Sequence, residues 1–224
     1  MTKKNGLQIH SLFPEPSLPT RFFLWLRSIQ TPYDSIASAL PEQGRVLDLG
    51  CGHGLLALAL ALGSSQREII GIDHDSERVR LARLAALRLR NSVGPTFETG
   101  DLSQKLGAFA SGSLAGIAMI DILHYFDPAS QHFLVSEAAR VLGPGGILVV
   151  REIDSDAGIK AAANRLYERL ATGVGFTRSA SPRLSFRGAR GWTTLLENAG
   201  FAVRSEPCGP AFLADVLFIA QRSL

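Results

Sequence analysis

Cysteine is scarce in this chain of 224 residues, which contains only Cys51 and Cys208. Two cysteines so far apart form neither a metal-ligand pattern nor the disulfide framework of a small secreted domain. We therefore expect the chain to work in a reducing compartment, the cytoplasm.

Long hydrophobic runs are also missing, because glycine or charge interrupts every apolar stretch before about 18 residues. No basic segment leads into an apolar core and a cleavage site. These absences predict a soluble protein without a transmembrane segment or a secretion signal.

Charge of one sign is not strongly in excess, since the formal net charge is +3. Hydrophobic residues make up 46% and charged residues 19%, which excludes disorder and fits one globular α/β domain. Part of the positive charge is concentrated in one predicted helix, either as a solvated face or as a docking surface for an acidic partner such as a carrier protein or for an anionic surface. The arginines concerned are Arg78, Arg80, Arg83, Arg88 and Arg90. Aromatic residues do not alternate with Lys and Arg, so we expect no nucleic-acid partner.

The most informative stretch is residues 45–54, where an apolar run ends in Gly50, Gly52 and Gly54. Val, Leu and Leu in that run are typical of a buried parallel strand, and glycine permits positive φ and close backbone approach. A second predicted strand ends at Asp73, 23 residues after Gly50. An acid at this distance accepts hydrogen bonds from ribose hydroxyls in nucleoside sites. The pattern predicts a ligand-binding turn.

Strands and helices then alternate along the chain, which predicts an α/β fold with a mostly parallel sheet and helices on both faces. The predicted strands are 96–99, 113–123 and 147–150, and the predicted helices are 76–90, 128–142 and 192–199. Residues 202–206 and 214–221 are predicted to close the sheet as an antiparallel hairpin.

The segments flanking this pattern are predicted to carry the acceptor side of the site. Residues 1–43 comprise an extended, proline-rich arm over 1–20 and two helices, 21–30 and 33–40. The apolar first helix either caps the sheet edge, lines an acceptor pocket or touches a membrane surface. Residues 154–190 interrupt the alternation and are expected to form a lid-like insertion in a domain of residues 44–222.

Five motifs occur in a characteristic order, and together they resemble class I S-adenosylmethionine-dependent methyltransferases of the small-molecule type. They are Val46-Leu-Asp-Leu-Gly-Cys-Gly-His-Gly54, Gly71-Ile-Asp73, Gly100-Asp101, Ile122-Leu-His-Tyr-Phe126 and Leu142-Gly-Pro-Gly-Gly-Ile147. The resemblance implies a Rossmann-like three-layer sandwich whose seven-stranded sheet has its last strand antiparallel. A nicotinamide-dependent oxidoreductase is disfavoured, because the glycines are spaced by two and follow Asp48.

The resemblance also implies a role for each residue of the cofactor site. Asp48 would face the methionine ammonium, Asp73 the ribose, and Asp101 the adenine amine, unless Asp101 is only a turn residue. The other expected contacts to S-adenosyl-L-methionine are Gly50, Cys51, Gly52, His74, Gly100, Leu102, Ile120 and Asp121. Ile72 would flank the base together with Leu102, while Cys51 and His53 are given no catalytic role.

His124 is the candidate general base, because it follows the fourth strand and histidine titrates near neutrality. The alternative is a structural histidine. Other candidate acceptor contacts are Tyr125, Arg151, Glu152, Asp154, Arg183, Phe22, Trp25 and Phe186. No metal is expected, since the Asp-Asn pair of metal-dependent members is absent after the fifth strand.

The sequence thus predicts a cytoplasmic methyltransferase acting on a small molecule, with a hydroxyl of an aromatic, polyketide-like or lipid-like acceptor favoured. Such an acceptor could be free, lipid-like or bound to a carrier protein, and a homodimer is left open. The alternatives are a C-methyltransferase on an activated carbon and a catalytically silent S-adenosylmethionine-binding module.

Overall fold

The computed structural model describes residues 9–14, 16–89, 94–158 and 184–223. The strands are β1 (Gly44–Leu49), β2 (Arg67–Asp73), β3 (Thr96–Thr99), β4 (Leu114–Ile120), β5 (Leu142–Ile153), β6 (Phe201–Pro207) and β7 (Asp215–Arg222). The helices are α1 (Leu18–Gln30), α2 (Tyr33–Ala39), α3 (Leu55–Gly63), α4 (Ser76–Ala86), α5 (Leu102–Gly107), α6 (Pro128–Val141) and α7 (Ala189–Asn198).

The seven strands form one sheet in the order β3-β2-β1-β4-β5-β7-β6. Strands β1 to β5 pair in parallel, whereas β7 runs antiparallel to both β5 and β6. The predicted Rossmann-like sheet with its reversed last strand is therefore confirmed. Because β1 and β4 are neighbours, the loops after them meet at the centre of the carboxyl edge.

Alternate residues of the central strands bury opposite faces of the sheet, which gives the three layers. Val46 packs with α2, α3 and α4, while Leu47 packs with α5, α6 and α7. Helix α3 is buried from Leu55 to Ala61, as its composition of leucine and alanine requires. No described helix is long and apolar enough to cross a bilayer.

An aspartate caps each of the helices that follow β2, β3 and β4. Asp75 accepts from the N–H groups of the first turn of α4, Asp101 does so for α5, and Asp127 for α6. These caps satisfy N–H groups that have no partner within the helix, and they fix where each helix leaves the sheet.

Some predicted boundaries are wrong. Residues 9–14 do not form an extended arm, because Ile9, Leu12 and Phe13 are buried against Leu24 and α3. Strand β4 stops at Ile120 instead of residue 123, since the next residue has φ 55° and begins a turn. Strand β5 begins at Leu142 instead of residue 147, so Leu142 belongs to the strand and not to the predicted helix 128–142. Most of the predicted lid, residues 159–183, lies outside the described residues.

Candidate functional site

The turn between β1 and α3 depends on glycine for two different reasons. Gly50, Gly52 and Gly54 all have positive φ, at 79°, 53° and 79°. A Cβ on Gly50 would lie 2.4 Å from Cγ2 of Ile122, and one on Gly54 would lie 2.7 Å from the ring of Phe97. A Cβ on Gly52 would meet no atom within 4 Å. The outer glycines therefore allow packing, while Gly52 borders open space.

Asp73 joins the end of β2 to this turn. Its Oδ2 accepts from the Gly52 N–H at 2.8 Å, and its Oδ1 accepts from the Asp75 N–H at 2.9 Å. His74 Nδ1 lies 3.4 Å from the same Oδ1, and its side chain is 42% exposed. Since a carboxylate has about four acceptor positions, Asp73 can still accept from a ligand hydroxyl.

Asp48 is a buried carboxyl group in need of a cationic partner. The residue is 3% exposed, and Oδ2 has no hydrogen-bond partner within the described part of the chain. Burial raises the pKa of Asp48 to about 7, the negative charge of Asp73 adds to the shift, and a backbone hydrogen bond from Ala57 opposes it. A cation binding beside Oδ2 would reverse this shift.

Asp121 stands at the end of β4, where it was expected to lie beneath the sulfur of the cofactor. There it is the centre of a buried ion-pair network, accepting from Arg151 at 2.5 Å and from Arg27 at 2.8 Å, and its place beneath the sulfur stays a prediction. Arg151 also donates to Asp215 and to the Gln30 carbonyl. Burial alone would raise the pKa of Asp121, but the two arginines hold it below its usual value.

Helix α1 lies over the glycine turn, because Arg27 joins it to Asp121 and Phe23 contacts the His53 ring at 5.6 Å. Burial lowers the pKa of His53 to about 4, and the charge of Arg78 contributes. The predicted apolar walls Phe22 and Trp25 are more than half exposed. Phe23 is therefore the aromatic residue of α1 that faces the site.

His124 and Glu152 form a fully buried pair at the ends of β4 and β5. Nδ1 of His124 lies 2.7 Å from Oε2 of Glu152. Oε1 of Glu152 accepts from the N–H groups of Leu123 and His124 at 2.7 and 3.3 Å. Because the carboxylate accepts, Nδ1 carries the proton, and the imidazole is held in one tautomer and one orientation.

The segment before α7 closes over this pair. Phe186 stacks on the His124 ring with centroids 5.1 Å apart, and the Ser185 N–H donates to the His124 carbonyl. Buried Gln131 donates to the Ser185 carbonyl and accepts from Arg187. Glu152 and Phe186 were predicted only as acceptor contacts, and no local pattern indicated these contacts to His124.

The remaining predicted cofactor contacts are placed as follows. The side chains of Cys51, Leu102 and Ile120 are buried in the hydrophobic core, so Cys51 presents only its backbone to the turn. Burial raises the pKa of the Cys51 thiol well above its usual value. The Gly100 N–H donates to the Asp73 carbonyl, and Asp101 accepts from the Gln104 N–H as an exposed helix cap.

Several candidate acceptor and partner residues have structural partners. Asp154 accepts from the Ala189 N–H and so helps to begin α7, and Arg83 donates to the Phe97 carbonyl. Arg80 pairs with a neighbour on its own helix. Arg90 and Arg183 lie outside the described residues. Among residues that the structure describes, no three His, Cys, Asp or Glu side chains converge as metal ligands.

A separate cavity of about 650 Å³ opens at the amino ends of β1 and β4, opposite the glycine turn. Glycine, proline, glutamine and small apolar residues line it, and none of its lining residues is titratable. This composition offers no acid, base or nucleophile, so the cavity is not the candidate site.

A family model described as a methyltransferase domain matches residues 25–206. The chain therefore belongs to this methyltransferase family, and its members are S-adenosylmethionine-dependent enzymes. A solved S-adenosylmethionine-dependent methyltransferase from Methanosarcina mazei is 25% identical with a TM-score of 0.63, over 87% of this chain and 98% of that one.

Two curated relatives carry more specific names. The ubiquinone biosynthesis O-methyltransferase of Xanthomonas campestris is 32% identical over 130 residues, 58% of this chain and 51% of the relative. The fatty-acid O-methyltransferase of Mycolicibacterium smegmatis is 35% identical over 119 residues, 53% of this chain and 40% of the relative. The chain thus spans about half the length of these relatives.

The site's geometry fits S-adenosylmethionine, the cofactor of this class. The buried Oδ2 of Asp48 lacks a partner that an ammonium group would supply, and the open space beside Gly52 lets a ligand approach the backbone. Asp73 holds that backbone in place and retains acceptor capacity for ribose hydroxyls. The individual contacts expected from the sequence remain predictions.

Proposed function

We propose that this chain transfers the methyl group of S-adenosylmethionine to an oxygen atom of an apolar small molecule, with a weakly acidic hydroxyl as the favoured target. The observation that carries the oxygen assignment is the buried imidazole of His124, oriented by Glu152. His124 lies two residues beyond Ile122, which packs against Gly50 of the cofactor turn.

The names of the curated relatives support the same acceptor class. One is an O-methyltransferase of ubiquinone biosynthesis and the other is a fatty-acid O-methyltransferase. Both names refer to largely apolar compounds methylated on oxygen. Because this chain covers about half of each relative, the acceptor is proposed from the site and from these names together.

When bound, S-adenosylmethionine supplies an electrophilic methyl group, so much of the protein's contribution is positioning and exclusion of water. Asp48 binds the ammonium group of the cofactor, and Asp73 accepts from the ribose hydroxyls. Gly52 gives close backbone approach without a side chain. Asp101 caps α5 with Oδ1, and its other carboxylate oxygen would accept from the adenine amine.

His124 takes the proton of the acceptor hydroxyl. A phenol has a pKa of about 10 and is mostly protonated at neutral pH, so a base accelerates its attack on the methyl group. Since Glu152 holds Nδ1, proton exchange with the acceptor runs through Nε2. Glu152 is a positioning residue, and its charge stabilises the imidazolium that forms.

Two elements of the structure cover the site and exclude water from it. Helix α1 packs Phe23 and Arg27 over the glycine turn and the end of β4. The segment before α7 packs Phe186 over His124. Together they shield the reacting groups from solvent, which strengthens electrostatic interactions between them.

The test is transfer of an isotopically labelled methyl group to phenolic and fatty-acid acceptors by wild type and His124→Ala. We expect His124→Ala to lower turnover on a phenol by about 10²- to 10⁴-fold while cofactor affinity is retained. A fatty acid is already ionised at neutral pH, so its methylation would change little. The proposal would be contradicted if protein or RNA became labelled while methyl transfer to every small molecule stayed at background.

Glu152→Gln is the matched test of the positioning role. A neutral amide stabilises the protonated imidazole less than a carboxylate does, so the acidic limb of the pH profile of turnover moves to lower pH. The KM for the cofactor stays the same. An unchanged pH profile with full turnover would show that the pair is only structural.

A further inference from the structure

The outer face of α1 is an apolar stripe formed by Leu18, Phe22, Trp25 and Ile29. These side chains are 78%, 61%, 52% and 55% exposed. At about 100° per residue, their spacing places all four within an arc of roughly 60°, over a length of roughly 16 Å. Arg27 lies on the opposite side of the helix, where it meets Asp121. The stripe therefore faces away from the core.

A contiguous row of large apolar side chains indicates a contact surface more strongly than isolated exposed residues do. The rings of Phe22 and Trp25 are 5.8 Å apart, so the row is continuous at its centre. The loop between β6 and β7 adds Phe212, which is 68% exposed. Gly209 of this loop lies against the Gln30 carbonyl, so the loop packs beside the last turn of α1.

The charges of α1 select the kind of partner. The helix contains Arg21 and Arg27 and no acidic residue. Arg27 faces inward, whereas Arg21 is exposed at the edge of the stripe. A second copy of α1 would offer no acid to Arg21. A bilayer with anionic lipids offers hydrocarbon to the stripe and phosphate to Arg21, and tryptophan favours this interface.

We propose that the outer face of α1 docks on an anionic phospholipid surface, with the helix lying in the plane of the interface. The inner face of the same helix covers the glycine turn. Docking therefore sets the carboxyl edge of the sheet beside the bilayer, where an apolar acceptor is dissolved. This last step rests on the proposed function, whereas lipid binding itself does not.

The test is sedimentation of the full chain with vesicles, using equal parts of phosphatidylglycerol and phosphatidylcholine or phosphatidylcholine alone. We expect clear binding to the mixed vesicles and much weaker binding to the neutral ones. Phe22→Ser with Trp25→Ser lowers the partition coefficient by about a hundredfold, since each side chain contributes roughly tenfold. Arg21→Glu weakens binding to the mixed vesicles only.

Phe133→Ser is the matched control, because Phe133 is 48% exposed on α6, and we expect it to bind like wild type. Failure of wild type to bind mixed vesicles, or equal binding by the double variant, would overturn the proposal. So would a wild-type dimer in sedimentation velocity that the double variant loses, since a second copy would then cover the stripe. Cofactor binding and methyl transfer without vesicles test the proposed function separately.

Discussion

We expect Asp48 to make cofactor binding a proton-releasing event at or below neutral pH. Burial raises its pKa to about 7, so the carboxyl group is about nine-tenths protonated at pH 6 and half protonated at pH 7. An ammonium group bound beside Oδ2 favours the ionised form. Binding therefore releases about 0.9 proton at pH 6 and about 0.5 at pH 7. Cofactor affinity rises about tenfold between pH 5 and 6, and levels off above pH 7.

Titration calorimetry with S-adenosylhomocysteine measures this release directly. The observed binding enthalpy varies with the ionisation enthalpy of the buffer, and the slope is the number of protons released. Asp48→Asn is the control, because it keeps the shape of the side chain and cannot titrate. A slope of zero for wild type at pH 6, with binding intact, would refute the assignment of Asp48.

The same pKa shift makes the cofactor-free protein less stable as the pH rises. The folded form holds the Asp48 proton up to about pH 7, whereas the unfolded chain loses it near 3.8, so stability falls between these values. The shift corresponds to an upper limit of about 4 kcal/mol. Asp48→Asn is then more stable than wild type at pH 8 and equally stable at pH 4 in urea unfolding. Equal stability at both pH values would contradict the shift.

The other predictions concern the turn and the ion-pair network. Asp73→Asn weakens cofactor affinity in calorimetry by about 1–3 kcal/mol, and unchanged affinity would mean that Asp73 is misassigned. Gly52→Ala still folds, but strain at positive φ lowers its free energy of unfolding by about 1–2 kcal/mol. Its Cβ also enters the space expected to hold the cofactor, so normal cofactor binding would contradict the site. Arg151→Met leaves Asp121 and Asp215 buried without their shared cation and lowers the free energy of unfolding by about 3–5 kcal/mol. Adding Asp215→Asn restores part of that loss, and a purely additive loss would argue against coupling.

Much of the fold was predictable because the signals were local. The periodic strands, the glycine turn and the hairpin near the carboxyl end each depend on neighbouring residues, and they appear in the expected order. The predicted bounds of β3 agree with the structure because Gly94, Pro95 and Gly100 mark its ends. The family resemblance then implied seven strands with the last one antiparallel, whereas the order of the strands comes from the structure.

The parts that were missed depend on contacts distant in sequence. The ion pairs of Asp121 were not predicted, because its partners Arg27 and Arg151 stand 94 residues before it and 30 residues after it in the sequence. No local pattern reveals such a pairing. The burial of residues 9–14 was not predicted either, because this proline-rich segment has no apolar periodicity. Its apolar side chains are buried only through their contacts with Leu24 and α3.

For the site, the sequence predicted which residues take part better than it predicted the surroundings of their side chains. The positions of Asp48 and Asp73 follow from the motif, yet the lack of a partner for Asp48 Oδ2 is a property of packing. The pairing of His124 with Glu152 follows from the adjacency of β4 and β5, which the sequence did not show. The acceptor side remains the part least determined by the residues of the motifs.

The most direct test of the account is a crystal structure of the chain with S-adenosylhomocysteine. We predict the amino group of the ligand within hydrogen-bond distance of Asp48, its ribose hydroxyls on Asp73, and its sulfur facing the end of β4. A ligand bound elsewhere, or bound at the carboxyl edge without contact to Asp48, would contradict the central claim.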